Sequence, residues 1–125
     1  MKESFSFRRR MQSFRPAFKG IGLLFRNEHN AWIHMVVSLA VIGFGIVFSL
    51  TAVEWIALIL SIGFVFMAEM INSSIEKLAD AVEEKTNEKI RIAKDLAAGA
   101  VLVAAICAAA IGLIVFVPHA IGLLT

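Results

Sequence analysis

Thirty consecutive residues, Leu96 to Thr125, contain no aspartate, glutamate, lysine or arginine, and 25 more lie uncharged between Glu28 and Glu54. A helix rises ~1.5 Å per residue and a hydrocarbon core is ~30 Å thick, so either run can cross a bilayer. Lipid leaves only helices or closed barrels as spanning structures, and continuous apolar runs without alternation select helices. A third run, Trp55 to Ala68, is 14 residues long before Glu69 interrupts it; continued through Ile75 it reaches 21. The expected fold is an all-α integral membrane protein, one membrane domain over residues 1–125, with spans at 31–53, 55–75 and 96–117. Pro118 is expected to end the last helix near Val117.

Composition narrows the function classes. Hydrophobic residues make up 59% of the chain and charged residues 18%, with a mean hydropathy of +0.82. Soluble domains run about 45–50% apolar and about 25% charged, so a soluble domain, a disordered tail and a nucleic-acid partner are all excluded. The single Cys107 excludes a disulfide framework and a cysteine-based metal site. No G-x-x-x-x-G-K-[ST] motif occurs, so a P-loop is excluded, and the Gly20-Ile21-Gly22 and Gly43-Phe44-Gly45 pairs read as close helix packing in lipid. The first apolar run is too long for a signal-peptide core and no A-x-A site precedes a mature domain.

All twelve basic residues fall in two segments: Lys2, Arg8, Arg9, Arg10, Arg15, Lys19 and Arg26 before the first span, and Lys77, Lys85, Lys89, Arg91 and Lys94 between the second and third. The positive-inside rule then puts the N-terminus and the second loop in the cytoplasm and the C-terminus outside, with Glu54 the only formal charge on the far side. Over residues 5–27, Met11, Phe14, Phe18, Ile21 and Phe25 recur at helical spacing, with most of the basic residues off that stripe. This predicts an amphipathic surface helix, with Ser13 as an N-cap and Pro16 in the first turn. A disordered basic tail is the alternative.

The segment Glu69 to Asp80 carries the chemistry. At ~100° per residue, Glu69, Asn72, Glu76 and Asp80 share an arc of about 80°, with Ser73 just beside it. Glu69 lies roughly 10 Å deeper than Glu76 along the helix, where a carboxylate costs about 2–3 kcal/mol or more. Two stacked carboxylates repel unless a proton or cation joins them. Interhelical hydrogen bonds would account for Asn72 and Ser73 alone, but not for the acidic pair. Span three offers no polar residue toward the outer leaflet, which disfavours an ion pathway and favours an enzyme at the cytoplasmic interface. Glu28 before span one and Lys94-Asp95 opening span three reach the same level. One or two carboxylates with substrate phosphates suit Mg²⁺, and a lysine can meet a phosphate as a point charge.

At these residues the chain resembles the bacterial diacylglycerol kinase family of small three-span lipid kinases. The matching elements are Ala17-Phe18-Lys19-Gly20, Asn27-Glu28, the block Glu69-x-x-Asn72-Ser73-x-Ile75-Glu76-x-x-x-Asp80, and Ala93-Lys94-Asp95. The resemblance implies a homotrimer in the bacterial inner membrane, with active sites shared between subunits, ATP as co-substrate and a lipid as acceptor. It implies Glu69 as the general base toward the lipid hydroxyl, with Asn72 organising the site. Glu28 and Glu76 would hold Mg²⁺ with ATP, and Lys94, Asp95 and Arg9 would contact the nucleotide, as would loop residues 85–87. Pro16 stands where some relatives have an aromatic nucleotide contact. Asn27-Glu28-His29-Asn30 with His34, Glu54-Trp55 and Ala97-Ala98-Gly99-Ala100-Val101 look more like the undecaprenol kinase branch, which puts Ala98 on the substrate side. Diacylglycerol is the alternative lipid. A small cation- or proton-coupled transporter built on Glu69 is the alternative from another class, and a non-catalytic membrane subunit a third.

Overall fold

The structure, a computed structural model, describes residues 3–82 and 87–125. Among them the regular elements are all helical: α1 (Phe7–Gln12), α2 (Phe14–Asn27), α3 (His29–Val47), α4 (Ala52–Val82) and α5 (Glu88–Leu124). The three expected spans correspond to α3, α4 and α5, each long and apolar enough to cross a membrane. Helices α4 and α5, at 31 and 37 residues, outrun the expected span limits. At ~1.5 Å per residue both exceed a ~30 Å hydrocarbon core and must project beyond it.

The amphipathic N-terminal segment is helical but broken, and Ser13 is not the side-chain cap expected of it. Pro16 has no N–H to offer the Gln12 carbonyl, which favours a break one turn earlier. Ser13 closes α1 instead: its N–H reaches the Arg9 and Arg10 carbonyls, each at 3.2 Å, and its hydroxyl donates to the Arg9 carbonyl at 3.1 Å. The N-cap belongs to Ser6, whose hydroxyl accepts from the Arg9 N–H at 3.4 Å. Between α2 and α3 only Glu28 leaves helical geometry, at φ −117° and ψ 114°. That elbow is pinned by Trp32, whose indole N–H donates to the Phe25 carbonyl at 2.7 Å while the two rings meet edge-on at 5.4 Å. Phe25 in turn packs on Phe66, which docks α2 against α4.

Helix α3 stops at Val47, short of the expected end at 53, because a Schellman turn follows. The Leu50 N–H returns to the Gly45 carbonyl and the Ser49 N–H to the Ile46 carbonyl, both at 3.3 Å, with Ser49 left-handed at φ 52°. The Thr51 hydroxyl then caps α4 by accepting from the Glu54 N–H at 3.2 Å. Helix α5 runs through Pro118 rather than ending there. Membrane helices tolerate the lost hydrogen bond, and the last turn is tied to α4 by His119, 2.9 Å from Glu54. With Lys94 meeting Asp80 at 3.1 Å at the other end, α4 and α5 form an antiparallel pair.

Packing is concentrated at the turn end, where Leu50, Leu58 and Val115 are buried beneath Val41, Phe48, Trp55, Ile111 and Phe116. Gly45 is the one glycine in close contact: a Cβ there would lie 2.7 Å from the Trp55 ring, whereas the other seven have nothing within 4 Å. Close packing within the chain therefore explains Gly45 and no other glycine. Gly45→Val is expected to cost about 1–3 kcal/mol by overpacking, and Gly63→Ala to gain up to about 1 kcal/mol by helix propensity. Thermal unfolding in detergent should move in opposite directions for the two. The chain exposes 9860 Å², against about 6,600 Å² expected of a compact soluble protein of this mass. Most residues of α5 remain exposed although the helix packs along α4, and lipid or further copies of the chain must cover them.

Candidate functional site

The buried stripe of α4 runs Leu58, Ser61, Val65, Glu69 and Ser73, in steps of three or four residues. Glu69 thus belongs to the packed face of its helix, with 3% of its surface exposed. The acidic arc is turned slightly from the packing axis: Ser73 is buried, Asn72 and Glu76 are half-buried, and Asp80 is exposed. Burying a carboxylate in apolar surroundings is costly unless it is paired and hydrogen-bonded. Its partner is His34 of α3, whose Nε2 lies 3.0 Å from Glu69 Oε1. An ionised carboxylate only accepts, so in that form its partner is the tautomer with hydrogen on Nε2.

One turn above Glu69 the polar groups open onto a cavity of about 150 Å³ lined by residues of α2 and α4 with Glu28 between α2 and α3, including Gly20, Ser73, Ser74 and Lys77. Glu28 occupies the N-cap position of α3, yet its side chain makes no capping hydrogen bond. Its carboxylate and that of Glu76 have no ion pair or hydrogen bond to the described residues. Asn72 Oδ1 and Ser73 Oγ are buried without a hydrogen-bond partner, a condition that costs about 1–3 kcal/mol per group. The remaining α4 hydroxyls close onto their own helix, Ser61 to Leu58 and Ser74 to Met70. Polar capacity is thus left over in one place, around Asn72, Ser73, Glu76 and Glu28.

The other expected residues are placed as follows. Lys94 reaches across to Asp80 at 3.1 Å, one turn beyond Glu76. Asp95 and Ala98 are exposed on α5. Arg9 pairs with Glu3 at 3.3 Å and lines a separate pocket with Ser6 and Ser13. Lys85 and Thr86 lie outside the described residues, and Asn87 caps α5 by accepting from the Lys89 N–H. Among the described residues no three of histidine, cysteine, aspartate or glutamate cluster closely enough to hold a metal. A divalent ion here would need phosphate oxygens to complete its shell, the donor set Mg²⁺ favours. Two members of the site were not legible beforehand as neighbours: His34 as the partner of Glu69, and Lys77 beside Glu28. The spacing from 34 to 69 crosses a turn, so only the pairing of α3 with α4 reveals it.

A wide apolar groove of about 740 Å³ follows α4 and α5, walled by Phe64, Met67 and Ile71 and floored by Ala97, Ala100 and Ala104. Phe64 is the one aromatic that lines it. Phe66 packs on Phe25 and His34, and Phe44 and Phe48 pack on Phe116.

The prokaryotic diacylglycerol kinase family matches residues 15–116, a range that includes every site residue above except Arg9. An undecaprenol kinase of Bacillus subtilis is 37% identical over 107 residues, covering 86% of this chain and 87% of that protein. A diacylglycerol kinase of Synechocystis sp. is 35% identical over 113 residues, covering 90% of this chain and 65% of the longer cyanobacterial protein. With the family pattern running through all three spans, this chain belongs to the prokaryotic diacylglycerol kinase family.

Proposed function

We propose that the chain is an ATP-dependent lipid kinase of the bacterial cytoplasmic membrane whose acceptor is undecaprenol. The observation that carries this reading is Glu69, a carboxylate buried among apolar helices one turn from Ser73, which lines a cavity shared with Glu28 and Lys77. A lipid hydroxyl sits just under the headgroup plane, so its base must lie slightly inside the membrane. Glu69 accepts the hydroxyl proton as the lipid oxygen attacks the γ-phosphorus of ATP; the bond to the β-phosphate oxygen breaks, giving phosphorylated lipid and ADP. Phosphoryl transfer asks mainly for in-line placement and charge neutralisation. Glu28 and Glu76 would hold Mg²⁺, which neutralises phosphate charge when bound. Asn72, on the helix face next to Glu69, is read as organising the site.

Lys94 and Asp95 are read as nucleotide contacts, and Ala98 as part of the lipid-facing surface. Arg9 would join them only if α1 folds back over the site. The N-terminus and the α4–α5 connection are cytoplasmic, as the distribution of all twelve basic residues requires under the positive-inside rule. Exposed Phe7, Met11, Phe14 and Phe18 support α1 and α2 lying in the interface. The bare apolar surface favours assembly, and a homotrimer is the expected form.

The substrate is tested by giving the purified protein Mg-ATP with undecaprenol or with diacylglycerol in mixed micelles. A higher kcat/KM with undecaprenol is expected. Preference for diacylglycerol would reassign the acceptor, and ion flux in liposomes without lipid phosphorylation would replace the kinase with a transporter. Lys94 has a separate test. Its pair with Asp80 is largely solvent-exposed, worth at most about 1 kcal/mol, so Lys94→Ala should barely move the unfolding midpoint. A nucleotide contact predicts instead a KM for ATP raised at least about tenfold, with Asp80→Asn near wild type.

A further inference from the structure

We propose that His34 is the positioning residue for Glu69, orienting its carboxylate toward the lipid hydroxyl. This rests on the kinase reading above. Glu69 carries its only described hydrogen bond on Oε1, from His34 Nε2 at 3.0 Å. Oε2 has no hydrogen bond to the described residues, so one oxygen is held and the other is uncommitted. The His34 ring is itself restrained. It meets Phe66 edge-on at 6.3 Å with an interplanar angle of 73°. The Ser38 hydroxyl, which could compete for the ring, donates to the His34 carbonyl at 2.6 Å.

Chemistry explains why imidazole suits this place. Glu69 is 3% exposed and its neighbours along the α4 stripe, Val65 and Ser73, bring no positive charge. Burying a carboxylate without a partner is costly. A lysine would tie it into a full ion pair. An imidazole N–H fixes it by one directional hydrogen bond, as when a carboxylate–imidazole pair fixes ring and tautomer elsewhere. His34 also walls an apolar cavity of about 240 Å³ with Ser38, Val41, Ser61 and Val65. The donor therefore lies against apolar surroundings on α3 and α4.

The test compares His34→Leu, which removes the donor, with His34→Gln, whose amide N–H can reach the same oxygen. With undecaprenol and Mg-ATP, the leucine variant should lose about 10²-fold in kcat with KM for ATP unchanged. The glutamine variant should recover to within about tenfold of wild type. A leucine variant with wild-type kcat, or a glutamine variant as poor as leucine, overturns the proposal. Because either variant can misfold, the pair is also read directly by ¹⁵N-histidine NMR of wild type and Glu69→Ala. The His34 ring signal should report an Nε2–H tautomer that is lost when Glu69 is truncated; an unchanged signal overturns the proposal. If wild type phosphorylates neither lipid, the kinase reading fails while the NMR result still decides the pairing.

Discussion

Glu69→Gln should lower lipid phosphorylation by about 10³-fold, within the 10²–10⁴ that a positioned general base contributes, while leaving the helices folded. The substitution keeps shape and volume, and the amide oxygen can still accept from His34 Nε2, which lies 3.0 Å away in the native chain. What disappears is the capacity to take a proton. With that hydrogen bond retained and the volume unchanged, stability should be unaltered or raised. Loss of activity with an unaltered unfolding midpoint is thus the diagnostic combination. Glu69→Ala should be worse on both counts, since it strands the His34 N–H and opens a void in the stripe between Val65 and Ser73. If Glu69→Gln turns over at the wild-type rate, the hydroxyl proton goes elsewhere and the carboxylate is structural.

Two of the membrane helices were legible because charge-free runs of 20 residues or more have few other uses, and the second because the 14 apolar residues from Trp55 reach spanning length only if continued past Glu69. The shared arc of Glu69, Asn72, Glu76 and Asp80 was legible, but not that the packed face of α4 takes in Glu69 and Ser73 and leaves Asp80 exposed. What sequence could not supply were contacts between helices. His34 is one histidine in an apolar run until α3 is laid against α4. Glu54 reads as a stray charge until α5 brings His119 to within 2.9 Å of it. Helix ends erred for a related reason. Pro118 is a strong local stop signal, yet the Glu54–His119 pair and Phe48 against the His119 ring at 5.6 Å hold the turn beyond it. Tertiary contacts overrode a local preference there, whereas at Ser13 the local effect of Pro16 prevailed because α1 has little to pack on.

Glu28 and Glu76 allow the second decisive experiment, because neither is engaged by the described residues. Neutralising a carboxylate that makes no ion pair or hydrogen bond to the described residues, with its shape kept, should change stability by no more than about 0.5 kcal/mol. If both instead bind one ion together with ATP phosphates, Glu28→Gln and Glu76→Gln should each lower kcat/KM for Mg-ATP by about 10²–10³-fold and raise the Mg²⁺ concentration needed for half-maximal rate. The double variant is the sharper measurement. Two ligands of one ion act as a unit, so the combined loss should fall well short of the product of the single losses. Residues serving separate steps would multiply. Glu28 sits between two helices with its backbone extended and its side chain uncommitted, and Glu76 lies two turns above Glu69 on α4. Near-complete coupling would place the ion where these two elements meet, beside Ser73 and Lys77. Multiplicative losses would separate the carboxylates, leaving Glu28 to a role in the α2–α4 cavity alone.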